Sequence, residues 1–235
     1  MVAFSIDQGS GRHAVLGKVF SHLLPREQVE VLEVGSYVGQ SALLWSGLIT
    51  QHCPRGGRVL CVDPWEAFHS EEDLRVGGIY TRMNAALVSG EAFEEFKRNA
   101  AGADPRAPVR FLRGRLSEAL LETESGYRDA SWLNEEGFDL VYLDGSHYYE
   151  DVAEDIRLAR TLVREGGVLC GDDLEVQFNH CNLDECRALV VARRDYSNYH
   201  PGVTLAVWEA FGQVWSENGV WAVRREVDGE FGRFG

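Results

Sequence analysis

Short apolar runs recur along this chain, and four of the five close on an acid: Val29 to Glu33, Arg58 to Asp63, Phe138 to Asp144, and Val168 to Gly171 before Asp172 and Asp173. The fifth is Pro108 to Arg113. Runs this continuous bury both faces, which requires a parallel sheet covered by helices. The intervals supply those helices. Apolar residues spaced every three to four positions predict them over 11–24, 40–50, 91–101, 149–164, 184–192 and 203–211, with a short one at 117–121 capped by Ser117. Pro25 stops the first, and Gly166-Gly167 is read as the stop after 164. The alternation predicts an α/β fold class with a doubly wound, mostly parallel sheet.

Towards the carboxyl end the pattern changes. Val214 to Val223 alternates on both sides of Asn218-Gly219, a strong signal of an antiparallel hairpin. The tail from Glu226 is glycine-rich and is expected to fray. Residues 65–90 are polar and irregular, carry Gly77-Gly78, and exceed an ordinary connection, so they are a candidate lid over the ligand crevice. The whole of 1–235 is read as a single domain, because α/β folds often reach this length.

Charge narrows the partners. With 37 acids against 23 Lys and Arg, the net charge is -14, which repels a phosphate backbone and argues against nucleic acid. The N-terminus has no basic leader, and no apolar run is long enough for a bilayer, so a soluble cytoplasmic protein with no membrane partner is expected. Cys61 and Cys170 sit inside apolar runs and read as buried reduced thiols. His180, Cys181 and Cys186 lack the paired spacing of a structural zinc site. Aromatics in 65–90 and in the hairpin leave a homodimer open.

Between the first run and its helix lies the loop Gly35-Ser36-Tyr37-Val38-Gly39. Open α/β sheets bind ligands beyond strand carboxyl ends, and glycines there let the backbone approach a ligand closely. Asp63, closing the second run, is placed to accept the hydroxyls of a ribose. Asp144, Asp172 and Asp173 close two runs that should be neighbouring strands, about 5 Å apart. Anions that close repel unless a cation or hydrogen-bond donors stand between them. Their oxygens suit Mg²⁺, provided the backbone turns between Asp172 and Asp173, since adjacent strand residues face opposite ways.

Taken together, Glu33-x-Gly35-x-x-x-Gly39, Asp63, Gly114 after the third run, Leu143-Asp144-Gly145-Ser146-His147-x-Tyr149 and Gly166-Gly167 resemble a class I S-adenosylmethionine-dependent methyltransferase. The glycine spacing departs from the G-x-G-x-x-G of dinucleotide enzymes. Asp-Gly-Ser-His-x-Tyr followed by Gly171-Asp172-Asp173 is similar to the small-molecule branch that includes macrocin O-methyltransferase and cephalosporin-hydroxylase-like proteins. The resemblance extends from Val29 to Arg225.

The resemblance implies a Rossmann-like, seven-stranded methyltransferase sheet and S-adenosyl-L-methionine as cofactor. Gly35, Ser36 and Gly39 would hold its methionine part, with Glu33 orienting the loop and Tyr37 and Ser41 beside it. Asp63 would take the ribose, Trp65 would flank the adenine, and Asp144 would mark where cofactor and reaction centre meet. Arg115 stands where the family often has an acid for the adenine amino group after Gly114, so Ser117 is the substitute. Asp144, Asp172 and Asp173 match the divalent-cation position of metal-dependent O-methyltransferases, and His147 matches a frequent histidine of the branch. The implied reaction is methylation of a hydroxyl on a small molecule, a sugar or a natural product, with Mg²⁺ bound and Asp144 or His147 as base. Acceptor recognition falls to 65–90 and to Phe178, His180 and Tyr196 to His200. A metal-independent enzyme with an oxygen or nitrogen acceptor, and a nucleoside-binding protein without turnover, are the open alternatives.

Overall fold

The computed structural model describes residues 10–70, 74–75, 78–124, 137–196 and 198–234. Strands β1 (Val29–Val34), β2 (Gly57–Asp63), β3 (Val109–Arg113), β4 (Phe138–Leu143) and β5 (Val163–Gly171) pair in parallel. Antiparallel β7 (Val220–Arg225) follows beside β5, and β6 (Trp215–Glu217) and β8 (Phe231–Arg233) both pair with β7. The order is β3-β2-β1-β4-β5-β7-β6. From β1 the chain winds outward to β3, then returns to β4 and winds the other way. The crevice of such a sheet opens where the direction switches, beyond the carboxyl ends of β1 and β4.

Beside a short 3₁₀ helix at Phe178–His180, eight α-helices are described: α1 (Ser10–Ser21), α2 (Gln40–His52), α3 (Ile79–Ser89), α4 (Glu91–Ala101), α5 (Leu116–Glu124), α6 (Tyr149–Leu162), α7 (Leu183–Val191) and α8 (Pro201–Phe211). Side chains alternate between the faces of a strand, and both faces are covered. Val31, Cys61, Leu140, Tyr142 and Cys170 share a core with Leu16 and Phe20 of α1, Trp45 of α2 and Phe96 of α4. Leu32, Leu60, Val141, Leu143 and Leu169 share the other with Leu116 of α5, Ile156 of α6 and Val207 of α8. All six residues of β1 and of β4 are buried, as continuous apolar runs require. The edge strand β3 exposes Arg110 and Arg113, charges that discourage pairing with another sheet.

Three expectations change. The helix predicted to reach 164 stops at Leu162, because Val163 already pairs with Phe138; Gly166-Gly167 lie inside β5, where the register shifts and Gly166 adopts φ +67°. The tail is ordered: β8 pairs with β7, and Phe234 packs on His22 and Trp215. The stretch 65–90 contains α3, with Ala86 and Leu87 buried, while Gly77 lies outside the described residues. The hairpin forms as expected, with left-handed φ at both Asn218 (50°) and Gly219 (82°), the geometry that matches strand twist. Its turn backs the end of β5: Gly219 O accepts from Leu174 N–H at 2.8 Å. No described helix is long and apolar enough to cross a membrane.

Candidate active site

At the switch point β1 ends hard against β4. Asp144 N–H donates to Val34 O at 2.8 Å, and a Cβ on Gly35 would lie 2.2 Å from Asp144 O. The loop turns through Tyr37 (φ +46°) to Gly39 (φ +83°), where a Cβ would meet the Phe96 ring at 2.9 Å. Asp63 holds the loop in place. Its Oδ2 accepts from the Ser36 and Tyr37 N–H groups at 2.7 and 2.9 Å, and its Oδ1 from the Trp65 N–H at 2.5 Å. Burial raises its pKa in spite of those donors. Glu33 lies beneath the loop, fully buried, and accepts from Trp45 Nε1 at 3.1 Å. Burial pushes its pKa up to about 8, so it is a neutral carboxyl at pH 7.

Above the loop is a cavity of about 350 Å³. Asp144 and Asp173 line it, with Asp172 just behind them, at the carboxyl ends of β4 and β5. Asp172 N–H donates to Leu143 O at 3.1 Å, and Asp173 then takes φ +64°. That left-handed residue is the turn that lets both acids face one point, and oxygens of all three lie within 4.8 Å of one another. Into this group α1 sends Arg12. Its Nη2 contacts Asp172 Oδ2 and lies 3.6 Å from Asp173 Oδ1, while its Nη1 lies 4.0 Å from Asp144 Oδ2.

The electrostatics follow from this packing. Burial, then Asp173 and Asp144, push Asp172 well above the usual carboxylate range. Burial pushes Asp144 up to about 6, with Arg12 opposing. Burial works against an ionised Asp173 too, but His147, His200 and Arg12 outweigh it and hold its pKa well below normal. His147 places Nε2 3.1 Å from Asp173 Oδ2 and Nδ1 2.7 Å from Asp195 Oδ2. Burial alone would lower its pKa, yet the two carboxylates hold it well above normal, so the ring is an imidazolium at neutral pH. The His200 ring stacks edge-on at 4.4 Å from it, with Nδ1 3.0 Å from Glu175 Oε2 and Nε2 3.1 Å from the Tyr80 hydroxyl.

Of the residues marked in the sequence, Gly35, Ser36, Tyr37, Ser41, Asp63, Gly114, Asp144, His147 and Asp173 line the cavity. Gly39 precedes α2 and Glu33 supports the loop from below. Asp172 sits behind, at the Arg12 contact. Trp65 is turned inward: it is 2% exposed, its ring packs on Phe93, Phe96 and Phe111, and its Nε1 donates to Tyr37 O at 2.7 Å. The indole thus builds the wall behind the loop instead of flanking a nucleobase. Ser117 does not reach the cavity, which Arg115 and Leu116 line in its place. Nor does Ser117 cap α5, since it lies inside the helix, which begins at Leu116; the Glu118 carboxylate accepts the Arg115 N–H there at 2.8 Å. Arg12, Tyr80, Glu175 and Asp195 carry no sequence signal, being ordinary polar positions joined only by tertiary packing. His200 falls in the segment assigned to acceptor recognition, whereas Phe178 belongs to a small core with Cys186 and Leu205.

A family model described as a methyltransferase domain matches residues 32–174. Among solved structures, the chain is similar to apo CalS11, TDP-rhamnose 3′-O-methyltransferase of calicheamicin biosynthesis, with 14% identity and a TM-score of 0.50 over 91% of this chain and 78% of that one. It is also similar to cofactor-bound Rv0187 from MTB, with 18% identity and a TM-score of 0.51 over 94% of this chain and 83% of that one. No curated protein sequence matches. At such identities the structures speak for the fold alone. The family match covers more than half of the chain, from β1 through the acid pair after β5, and on that ground the chain belongs to the methyltransferase-domain family, as an S-adenosylmethionine-dependent methyltransferase.

Proposed function

We propose that the protein methylates a hydroxyl of a small molecule, a sugar or a natural product, using S-adenosyl-L-methionine. One observation carries the reading: a single cavity is bounded both by the glycine loop and by Asp144, so a donor held by the first faces an acceptor held beside the second. CalS11, a TDP-rhamnose O-methyltransferase by name, supports a sugar hydroxyl as acceptor. The loop suits the cofactor, because its glycines seat it against Asp144 and Phe96 while Gly35, Ser36 and Tyr37 line the cavity, and the Tyr37 hydroxyl is buried with no partner among the described residues. Asp63 would share its oxygens between the loop and the ribose, and Glu66, which lines the same cavity, is a second carboxylate for that ribose.

S-adenosylmethionine supplies an electrophilic methyl group on a sulfonium. The chain's part is to hold the acceptor oxygen in line with it and to take the hydroxyl proton. Asp144 is the better base. At a pKa of about 6 it is ionised at neutral pH and still has appreciable proton affinity. His147, clamped as an imidazolium, has no lone pair to offer. A lid role for residues 65–90 rests on Phe68, Ile79, Tyr80 and Met83, which line the cavity. The three aspartates have the hard-oxygen chemistry of a Mg²⁺ site, but the Arg12 guanidinium stands among them.

The test is ligand-induced stabilisation followed by turnover. S-adenosylhomocysteine should raise the melting temperature and NAD should not, and incubation with hydroxylated acceptors should give a singly methylated product by mass spectrometry. Stabilisation by NAD alone overturns the reading.

A further inference from the structure

We propose that Arg12 occupies the position a divalent cation would take among Asp144, Asp172 and Asp173, so that the chain supplies its own counter-ion and excludes the metal. This inference refines the methyltransferase reading. Three oxygens within 4.8 Å of one another would hold Mg²⁺ at about 2.0–2.1 Å from each, between them. Nη2 of Arg12 already fills that region: it contacts Asp172, faces Asp173 at 3.6 Å, and leaves Nη1 4.0 Å from Asp144. His147 takes the remaining Asp173 oxygen at 3.1 Å. Each carboxylate therefore has a cationic partner drawn from the chain itself.

Arg12 is not a swinging surface side chain. Val15, Leu16, Val19 and Phe20 follow it on α1 and are at most 1% exposed, which pins the helix to the sheet. The amino end of α1 also abuts the hairpin, since a Cβ on Gly11 would lie 3.5 Å from Asn218 Nδ2. Withdrawing the guanidinium would leave buried carboxylates facing one another, a costly arrangement. Held there, it also lines the cavity, where its N–H groups can donate to an acceptor oxygen beside Asp144. A guanidinium offers directed donors where a metal would offer a Lewis acid.

The experiment is Mn²⁺ binding, by electron paramagnetic resonance and thermal shift, on the full chain with S-adenosylhomocysteine present. Wild type and Arg12→Lys should bind no Mn²⁺. Arg12→Gln should melt at a lower temperature, acquire the Mn²⁺ binding that wild type lacks, and regain melting temperature as the ion is added. Binding by wild type at a site abolished in Asp172→Asn overturns the proposal, and so does absence of binding by all three proteins. Should Arg12→Gln fail to fold, the wild-type and Arg12→Lys measurements still decide whether the chain excludes the ion. The readouts involve no methyl transfer. A failure here leaves the methyltransferase reading standing, and failure of S-adenosylhomocysteine to bind is seen separately in the same thermal scans.

Discussion

Glu33 shows what burial does to a single residue. Its carboxyl ordinarily titrates at 4.5 and here at about 8, chiefly through burial. The folded chain therefore holds a proton that the unfolded chain has released between those values. The stabilisation is fully present below the unfolded value and is lost as pH rises through the folded one, at no more than about 1.4 kcal/mol per pH unit. Glu33→Gln removes that proton exchange, so melting temperatures measured from about pH 5 to about pH 8 should fall less steeply in the variant. Gly35 is constrained by geometry instead. Alanine there would place a methyl 2.2 Å from Asp144 O at a φ of +82°, and Gly35→Ala should lose about 2–4 kcal/mol in denaturant unfolding, together with S-adenosylhomocysteine binding. For Asp144, with its pKa near 6, kcat/KM should rise with pH through about 6 and then level off as the base becomes ionised. That Gly35 and Asp144 meet at the crevice was legible because strand ends fix backbone position. The inward turn of Trp65 was not, since an indole beside a strand end reads the same whether it faces a ligand or a core of Phe93, Phe96 and Phe111.

Among the elements, the parallel strands were legible because burial on both faces leaves little choice but a continuous apolar run. The start of β5 was not. Val163-Arg164-Glu165-Gly166-Gly167 has the composition of a helix terminus, and only its pairing with β4 makes it strand. β8 has no sequence signature, because three residues carry no period, and its place comes from hydrogen bonds to β7. The role of α1 was hidden for a related reason: its apolar stripe announces a helix, while the destination of Arg12 depends on where that helix docks. The hairpin carries a test at this scale. A Cβ on Gly219 would come 3.2 Å from Asp172 Oδ1 and would force a left-handed φ on a substituted residue. Gly219→Val should therefore cost about 1–3 kcal/mol. The damage should spread to the site, so S-adenosylhomocysteine affinity, followed by calorimetry, should weaken along with stability.

At the scale of the molecule, acids sit at both ends of the sheet but are treated differently. Asp139, at the amino edge, is fully enclosed: it pairs with Arg26 and with Arg164 at 3.2 Å, and accepts the Glu30 N–H at 2.7 Å. At the carboxyl edge Asp144 and Glu66 still face open space in the cavity, on a chain whose net charge is -14. The donor in the proposed reaction carries one more positive charge than its thioether product. An anionic mouth thus draws in the fresh reagent and loosens its hold once the charge has been spent, which clears the site for the next turnover. Rising salt should weaken S-adenosylmethionine binding more than S-adenosylhomocysteine binding, narrowing the preference between them in a calorimetric titration series. Equal salt dependence of the two would mean that the acid-tipped strands sort nothing by charge.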